Sequence, residues 1–575
     1  MPDVVGTARA RLDAWSSDTG RNSFDDDDLL HSILRRTLGA ERFEAVAGRL
    51  REIADAAGPE LDALVRETNR DENLPRLRGP DAFGRATEEV QFHPAHHAVG
   101  RVFWASRVLS VLAEPGTEVL AGAIAYLLDQ HGEAGHACPV ACTAGAIKLI
   151  QRLGDDDQRR RYLPRLLDPD YERRLHAAQF VTEIQGGSDV GLNACVARPD
   201  EDRPGRWRIS GEKWFCSVAD AGLFVLTARV DGAPPGTRGL GLFLVPRTID
   251  GQPNGFTLRR LKDKLGTRSL PTGEIELSDA LAEPIGPLED GFRNLVGIVL
   301  DTSRVHNGLA ACGIMRRAWV EASAYARHRV AFDHPIAELP AVQEILARMR
   351  LRTALGLLAT FRVLALTDRV AGGAGDSELV AARRIAVMVN KYRTAVAATE
   401  SARDGIEVLG GNGAIEEFSV LPRLYRDAIV VESWEGTHNT LAAQVMRDFA
   451  VRSLHRPWLA LLEREAAELP AASREQAREL LADVGARIGR AVEGGAEAAA
   501  VAMRSVVDRM CRLTEWVTLA AHAGWEAENG IDSGAGDLLE LYRLREVEGV
   551  EPQDEPVLVA LHRRLAAGSG SAVRQ

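Results

Sequence analysis

Cysteine, aromatic residues and long apolar runs are all scarce in this 575-residue chain. Six cysteines are too few for a disulfide framework over such a length, which favours a reducing compartment and predicts a cytoplasmic location. The N-terminus has no long apolar core and no apolar run reaches about twenty residues, so neither a signal peptide nor a membrane span is predicted. Aromatic residues make up only 5% of a chain rich in alanine, arginine, glycine and leucine. We therefore expect a soluble, largely helical protein.

The chain also lacks a net positive charge and clusters of metal ligands. The formal net charge is -12, which argues against a chain built as a whole to bind nucleic acid. Cys138 and Cys142 lie one helical turn apart, but no further ligands stand at the spacing of a zinc site. We predict no metal centre and regard these two cysteines as buried apolar residues.

Three common sequence signatures are absent. No Gly-x-Gly-x-x-Gly follows a strand, and there is neither a Gly-Lys-Ser/Thr phosphate loop nor a Gly-x-Ser-x-Gly nucleophile elbow. The glycine-rich stretch LGGNG at 409–413 follows a helical pattern. Taken alone, it is explained as the end of a helix capped by glycine.

The apolar pattern divides the chain into four segments. Residues 1–177 and 285–452 carry mostly helical spacing. Between them, 178–284 contain short alternating stretches bounded by Gly, Pro, Asn or Asp, which predict a mainly antiparallel sheet. Residues 453–575 form a further helical segment. The predicted fold class is therefore mostly α with a central antiparallel β domain and an extra C-terminal helical domain.

The last segment, 453–575, is acidic. It contains fourteen arginines and no lysine against twenty aspartates and glutamates, so its formal charge is about -6. A segment that binds DNA is expected to be basic, so DNA is not its predicted partner. Ser473 and Gln476 predict a capping box at one of its helices. Covering an apolar face and supporting assembly are two simpler roles for it.

Four motifs carry the residues best suited to chemistry, and their order and spacing resemble the acyl-CoA dehydrogenase family of flavoproteins. They are QFVTEIQGGSDVG (179–191), GEKWFCSVAD (211–220), RHRVAFDHPI (327–336) and EVLGGNGAIEE…YRDAIVVESWEGT (407–437). The resemblance runs from about residue 90 to 450 and implies a helical domain, a β-barrel-like domain and a helical bundle. GEAGHACP (132–139), RRLKDKLGTRS (259–269) and Trp434 are most similar to the AidB-type branch. Some proteins of that branch bind DNA.

The resemblance implies an FAD site in the first two motifs. Thr182 matches a residue that bonds the pyrimidine edge of the flavin, although by itself it is explained as an ordinary strand residue. Phe215 matches an aromatic residue that packs beside the isoalloxazine, with core packing as the alternative. Ser217 matches the hydroxyl residue that bonds flavin N5, since a hydroxyl can donate there. The implied FAD residues of these motifs are Val181, Thr182, Gly187, Ser188, Phe215 and Ser217.

The last two motifs imply that a cofactor site is shared between subunits. Arg329 and Phe332 match residues that hold the FAD pyrophosphate of a neighbouring subunit, a role that suits the arginine fork. Asp333 stands where the family usually has glycine. A homo-oligomer, commonly a tetramer, is therefore implied. The FAD contacts carried over from the resemblance in this part of the chain are Arg329, Phe332, Gln343, Glu407, Gly410, Gly411, Thr437 and Asn439.

Glu435 matches the position of the catalytic base, directly before Gly-Thr. The implied reaction removes the α-proton of an acyl thioester with this carboxylate while the β-hydride passes to the flavin. Asp301 and Arg304 match a helix lining the thioester site, and Ser188 is implied as a further substrate contact. Some members place the base on that helix, where this chain has Ser303.

Three functions follow from the resemblance. The first is FAD-dependent α,β-dehydrogenation of an acyl thioester carried by coenzyme A or by a carrier protein. An electron-transfer flavoprotein or oxygen would then accept the electrons. The second is an AidB-like, DNA-associated protective flavoprotein with little turnover, and the third is a flavin oxidase or monooxygenase on the same scaffold. Acyl length, carrier and electron acceptor are not specified by the sequence.

Overall fold

The computed structural model describes residues 4–85, 87–374 and 376–567. Its described residues form two compact units. The helical unit comprises residues 4–59, 115–132 and 307–567, and the sheet unit comprises 60–114 and 133–306. The four-segment division predicted from the sequence stays a prediction.

Helices make up most of the secondary structure. In chain order the α-helices are α1 (Val4–Thr19), α2 (Asp28–Leu38), α3 (Ala40–Ala56), α4 (Pro59–Thr68), α5 (Pro94–Ala105), α6 (Glu118–Asp129), α7 (Ala134–Leu153), α8 (Asp156–Leu166), α9 (Gly291–Asn294), α10 (Asp301–His328), α11 (Pro340–Arg369), α12 (Ser377–Leu409), α13 (Leu421–Ser433), α14 (His438–Arg452), α15 (His455–Ala467), α16 (Ala471–Glu493), α17 (Gly495–Asn529), α18 (Ala535–Tyr542) and α19 (Pro556–Ala567).

The strands lie almost entirely in the segment where they were predicted. They are β1 (Arg76–Leu77), β2 (Val90–Gln91), β3 (Ala177–Phe180), β4 (Val196–Pro199), β5 (Trp207–Ser217), β6 (Leu223–Val230), β7 (Leu240–Pro246), β8 (Thr248–Ile249), β9 (Gln252–Pro253), β10 (Phe256–Leu261), β11 (Thr272–Pro284), β12 (Val330–Ala331) and β13 (His334–Pro335). The predicted fold class, mostly α around a central β domain with extra C-terminal helices, is confirmed.

The sheet unit is built on a seven-stranded, barrel-like sheet. Its strand order is β10-β11-β5-β4-β6-β3, and β7 pairs with both β6 and β11, which closes a ring of five strands. The pairings are antiparallel except those of β6 with β3 and β4, so the predicted antiparallel character holds for most of the sheet. Phe180, Phe224 and Phe243, on the neighbouring strands β3, β6 and β7, are fully buried.

The helical unit contains the long amphipathic helices α11 and α12 and the C-terminal helices that pack on them. Helix α17 packs against α12 and α11, and α19 packs along α11. Arg393 of α12 pairs with Glu515 of α17 at 2.5 Å, and Trp458 and Trp516 are fully buried. Residues 453–567, which we call the C-terminal block, therefore cover one face of the α11–α12 pair. Covering an apolar face was one of the two simpler roles expected for this segment.

The predicted capping box at Ser473 and Gln476 is wrong. Helix α16 begins two residues earlier than Ser473, at Ala471, with Pro470 as its N-cap. The Ser473 carbonyl instead accepts a hydrogen bond from the indole of Trp516, and Gln476 donates to Glu479. The proline sets the helix start, because its fixed backbone angle suits this boundary.

Within residues 4–85, 87–374 and 376–567, no helix has the length and apolar character needed to cross a membrane. Across the same described residues, no group of three or more His, Cys, Asp or Glu side chains could hold a metal ion. All six cysteines are free thiols.

Candidate functional site

A short loop after β3, residues 181–188, carries the first predicted flavin residues. Val181 and Thr182 are half-buried, whereas Gly187 and Ser188 are exposed. A Cβ added to Gly187 would lie 2.6 Å from Oγ1 of Thr182, so only glycine fits this close approach. The amide of Trp214 donates to the Thr182 carbonyl at 2.9 Å, which ties the loop to β5.

A buried ion pair that the sequence analysis missed supports this loop. Lys213 of β5 is fully buried, and its ammonium donates to Glu183 Oε1 at 2.7 Å and to the Thr227 carbonyl at 2.8 Å. Glu183 also accepts hydrogen bonds from the amides of Ala194 and Cys195. Burial alone would raise the pKa of Glu183, but the Lys213 ammonium, together with hydrogen bonds from Ala194 and Gln185, holds that pKa below its usual value. A charged pair inside the sheet thus fixes the loop's path.

Phe215 and Ser217 lie at the end of β5, beside the loop. Strand alternation would place Phe215 on the same face as buried Lys213. The pairing of β5 with β11 shifts register between Lys213 and Cys216, so β5 contains one extra residue there. The side chain of Phe215 consequently turns outward and is 52% exposed. Ser217 Oγ lies 3.0 Å from Oγ1 of Thr272, which also accepts from Lys264.

Two predicted substrate residues, Asp301 and Arg304, lie at the start of α10 and are buried. Between them, Ser303 is also buried, and its hydroxyl accepts a hydrogen bond of 2.7 Å from the Gln179 amide on β3. Only Phe180 separates Gln179 from the 181–188 loop. The sheet unit therefore brings the start of α10 next to the strand that leads into the predicted flavin loop.

An exposed group in the helical unit contains most of the residues predicted to serve a neighbouring subunit: Arg329, Phe332, Glu407, Gly410 and Gly411. Phe332 forms the tip of the β12–β13 hairpin and is 86% exposed. It and Asp333 both have positive φ, 52° and 68°, the conformation of a two-residue type I′ turn.

Gln343 differs from this exposed group. It is buried, and its side-chain amide donates to the carbonyl of Ala337 at 2.9 Å. Gly410 caps α12 with a φ of 62°, as the glycine-rich pattern predicts. Whether either residue contacts a cofactor stays a prediction.

Glu435 lies in a tight turn between two helices, residues 434–437, which we call the Glu435 turn. Helix α13 ends at Ser433 and α14 begins at His438 with Thr437 as its N-cap. Glu435 has a φ of 56° and Gly436 a φ of 103°. A left-handed conformation at a non-glycine residue costs about 1–3 kcal/mol and marks functional sites more often than other places. The side chain is half-buried, with Oε2 enclosed.

The remaining two predicted contacts, Thr437 and Asn439, follow the turn and are exposed. Thr437 Oγ1 lies 3.0 Å from Oγ1 of Thr440. Asn439 Oδ1 accepts a hydrogen bond of 3.1 Å from Arg504 of α17. The helical unit therefore brings these two residues next to Glu435, as the motif predicts.

Comparisons with known proteins identify the scaffold. Family models match three consecutive parts of the chain: the AidB N-terminal domain at residues 16–173, the acyl-CoA dehydrogenase middle domain at 178–280 and the acyl-CoA dehydrogenase C-terminal domain at 289–450. Acyl-CoA dehydrogenase family member 11 of Caenorhabditis elegans is 34% identical over 451 residues, covering 75% of this chain and 71% of that protein. The chain belongs to the acyl-CoA dehydrogenase family.

The match to the AidB N-terminal domain and a second relative place the chain in the AidB-type branch of the acyl-CoA dehydrogenase family. AidB of Escherichia coli strain K12 is 34% identical over 387 residues, which is 65% of this chain and 69% of that protein. The crystal structure of Caenorhabditis elegans ACDH-11 in complex with C11-CoA superposes with a TM-score of 0.82 at 26% identity. That superposition covers 95% of this chain and 91% of the other. The resemblance drawn from the four motifs is confirmed.

Membership of the acyl-CoA dehydrogenase family makes the protein a flavoprotein oxidoreductase with FAD as its cofactor. The residues of the sheet unit fit this group. The lack of a Cβ at Gly187 lets the loop backbone approach Thr182 closely, and the outward ring of Phe215 offers an apolar face two residues before the hydroxyl of Ser217. The individual contacts of FAD stay predictions.

Proposed function

We propose that the protein catalyses α,β-dehydrogenation of an acyl thioester, with Glu435 as the base that removes the α-proton. The observation that carries this proposal is the Glu435 turn, where a carboxylate is held in a left-handed conformation with one oxygen enclosed. Strain of this kind persists only where surrounding contacts impose it. A fixed carboxylate is what removal of a weakly acidic proton requires.

The other position for a base offers no competing group. Ser303 is the corresponding residue on α10, and its hydroxyl is engaged by Gln179. A serine hydroxyl does not accept a carbon-bound proton at neutral pH without a stronger base beside it. Glu435 is therefore the proposed base, and Asp301, Arg304 and Ser188 are the proposed substrate contacts.

The proposed FAD site is formed by the 181–188 loop, Phe215 and Ser217. When bound, FAD supplies the acceptor for the β-hydride of the substrate. The protein's own contribution is to orient the thioester, to exclude water from its α-carbon and to hold the α-proton on the Glu435 carboxylate. The backbone amide of Glu435 is the proposed donor to the thioester carbonyl, where negative charge develops.

We propose coenzyme A as the acyl carrier, because the related ACDH-11 was crystallised with C11-CoA. A carrier protein is the alternative carrier, and an electron-transfer flavoprotein or oxygen is the proposed electron acceptor. The exposed residues Arg329, Phe332, Glu407, Gly410 and Gly411 support a homo-oligomer, proposed to be a tetramer, in which they reach a neighbour's FAD. The cytoplasm is the proposed location, in agreement with six free thiols.

An anaerobic titration tests the proposal. The purified flavoprotein is mixed with acyl-CoA thioesters of increasing chain length while its visible flavin absorption is recorded. We expect one length class to bleach the band, and Glu435→Gln to slow bleaching by at least about a hundredfold, the usual minimum for loss of a general base. Glu417→Gln, which changes an exposed carboxylate of the same unit, serves as the control.

Bound FAD that no acyl-CoA bleaches would overturn the proposal in its acyl-CoA form. Bleaching only by a thioester on a carrier protein would move the substrate to that class. If neither carrier gives bleaching, the AidB-like protective role or oxygen chemistry on the same scaffold replaces dehydrogenation. DNA remains a poor partner for residues 453–575 because of their net negative charge.

A further inference from the structure

The Glu435 turn is held from below by a buried lysine of α12. The ammonium of Lys391 donates to the Glu432 carbonyl at 3.0 Å and to the Gly436 carbonyl at 2.9 Å. Lys391 is fully buried. Since these two carbonyls lie on either side of Glu435, one side chain fixes both ends of the segment that carries the carboxylate.

The residues that directly follow the turn are held by the C-terminal block. Arg504 of α17 donates to Asn439 Oδ1 at 3.1 Å. The hydroxyl of Tyr392, next to Lys391 on α12, donates to Asp508 of α17 at 2.7 Å. The ring of Tyr392 meets the ring of His438 edge to face, with centroids 5.1 Å apart. Helix α17 therefore reaches the residues just after the turn directly through Asn439 and indirectly through Tyr392.

We propose that α17 supports the active site. Arg504 and Asp508 are positioning residues for Glu435. The left-handed backbone of Glu435 depends on contacts that impose it. Helix α14 begins directly after the turn, so movement of His438 or Asn439 changes the direction in which Glu435 points. A displacement of about 1 Å at a catalytic group is enough to lower a rate substantially.

Residues 453–567 thus have a proposed role beyond covering α11 and α12. It rests on the proposed function only where catalysis is concerned, because the rigidity of the turn is measurable without any substrate. Arg504 and Asp508 are themselves exposed. Their replacement therefore removes the contacts to Asn439 and Tyr392 without opening the buried core of the block.

Hydrogen exchange of the full-length, FAD-loaded protein tests whether α17 rigidifies the Glu435 turn. We expect Arg504→Ala and Asp508→Ala to accelerate amide exchange in peptides covering residues 432–440, while peptides of the sheet unit keep their rates. Arg487→Ala is the matched control, because Arg487 pairs with Asp483 within α16 and lies outside the contacts described here. Unchanged exchange at 432–440 in both variants would overturn the proposal.

A single-turnover bleaching assay at saturating FAD tests whether this rigidity supports the reaction rate. We expect Arg504→Ala and Asp508→Ala to slow flavin bleaching by about ten- to a hundredfold. The double variant should lose less than the product of the two, since both act on one turn. Arg504→Lys should restore part of the rate because it retains a donor. The Arg487→Ala rate should match the unaltered protein.

Hydrogen exchange and bleaching together distinguish failure of the positioning role from failure of the proposed function. If no thioester bleaches the unaltered protein, exchange at 432–440 still decides whether α17 rigidifies the turn. If the unaltered protein turns over and the variants loosen the turn without slowing bleaching, the positioning role is wrong. A shared loss of rate and FAD in the Arg487→Ala control would also contradict it, because the effect would then belong to the block as a whole.

Discussion

Each unit of the molecule has a fully buried lysine beneath a predicted site segment, but the two lysines have different partners. Lys213, in the sheet unit, is paired with the Glu183 carboxylate. Lys391, in the helical unit, donates to the main-chain carbonyls of Glu432 and Gly436. The first fixes a loop through an ion pair, and the second fixes a turn through its backbone.

The difference has energetic consequences. An ion pair taken out of water must be complete, because a remaining single charge is strongly destabilising. Carbonyls that lose their donor are costly too, but they carry only partial charge. We therefore expect the sheet unit's loop to depend on its lysine for folding, and the Glu435 turn to depend on its lysine mainly for local geometry.

The largest predicted effect is that of Lys213→Met. It should lower the free energy of unfolding by about 3–5 kcal/mol, because it leaves the Glu183 carboxylate buried without its cation. It should also weaken FAD retention, since the 181–188 loop loses its support. Chemical unfolding measures the loss of stability. Flavin release on dilution of the folded protein measures FAD retention.

The Lys213 prediction has two checks. Arg260→Met breaks a pair with Glu274 in which the arginine is 63% exposed, and should leave the free energy of unfolding almost unchanged. Adding Glu183→Gln to Lys213→Met should recover part of the lost stability, because both charges are then gone. If the double variant is no more stable than Lys213→Met, the buried charge is not the cause.

Lys391→Met should have a smaller effect on stability and a selective effect on the site. Two carbonyls lose a donor, for an expected loss of about 2–3 kcal/mol in unfolding free energy. FAD content should stay near that of the unaltered protein while single-turnover bleaching slows. Arg403→Met, at an exposed position on the same helix, is the control. Loss of FAD together with the rate would remove the distinction between the two lysines.

Much of the fold and the general position of the site follow from the sequence. Alternation and Gly/Pro boundaries locate the longer strands β5, β6, β7, β10 and β11, and helical spacing locates α11 and α12. The motif around Glu435 also indicates a functional turn, since Trp-Glu-Gly-Thr interrupts a helical pattern. These are local signals, carried by residues close together in the chain.

What the sequence does not show depends on long-range contacts. The alternation of β5 places Lys213 and Phe215 on one face, and only the register shift opposite β11 separates a buried lysine from an exposed phenylalanine. Arg504 and Asn439 are 65 positions apart, so their hydrogen bond has no signature in either segment. The capping box at Ser473 fails for the opposite reason, because a local motif was outweighed by Pro470 at the preceding boundary.

Asp129 is a buried carboxyl for which burial is the only cause of a changed pKa. Burial raises the pKa of this α6 carboxyl from 3.8 to about 8. The folded protein therefore holds a proton that the unfolded chain releases, so its stability falls as pH rises from about 4 to 8. Asp129→Asn should remove this loss. Thermal unfolding should show a gain of a few degrees in Tm at pH 8 and a smaller gain at pH 5.

The control for Asp129 is Asp156→Asn, at a side chain that is 98% exposed on α8. It should leave the pH dependence of Tm unchanged, because an exposed carboxyl is solvated equally in both states. An equal gain at pH 5 and pH 8 for Asp129→Asn would contradict the explanation by burial.

The smallest expected effect on stability is that of Phe332→Ala, which separates site residues that serve their own chain from those proposed to serve a neighbour. The ring is 86% exposed at the tip of the β12–β13 hairpin, so its loss should change the unfolding free energy by less than about 0.5 kcal/mol. FAD retention should nevertheless weaken if the ring contacts a neighbour's cofactor. Flavin release from Phe332→Ala is compared with that from Val501→Ala, another exposed apolar side chain of the helical unit. Equal retention in the two variants would contradict a shared site, because loss of a ring that contacts a neighbour's cofactor must weaken its retention.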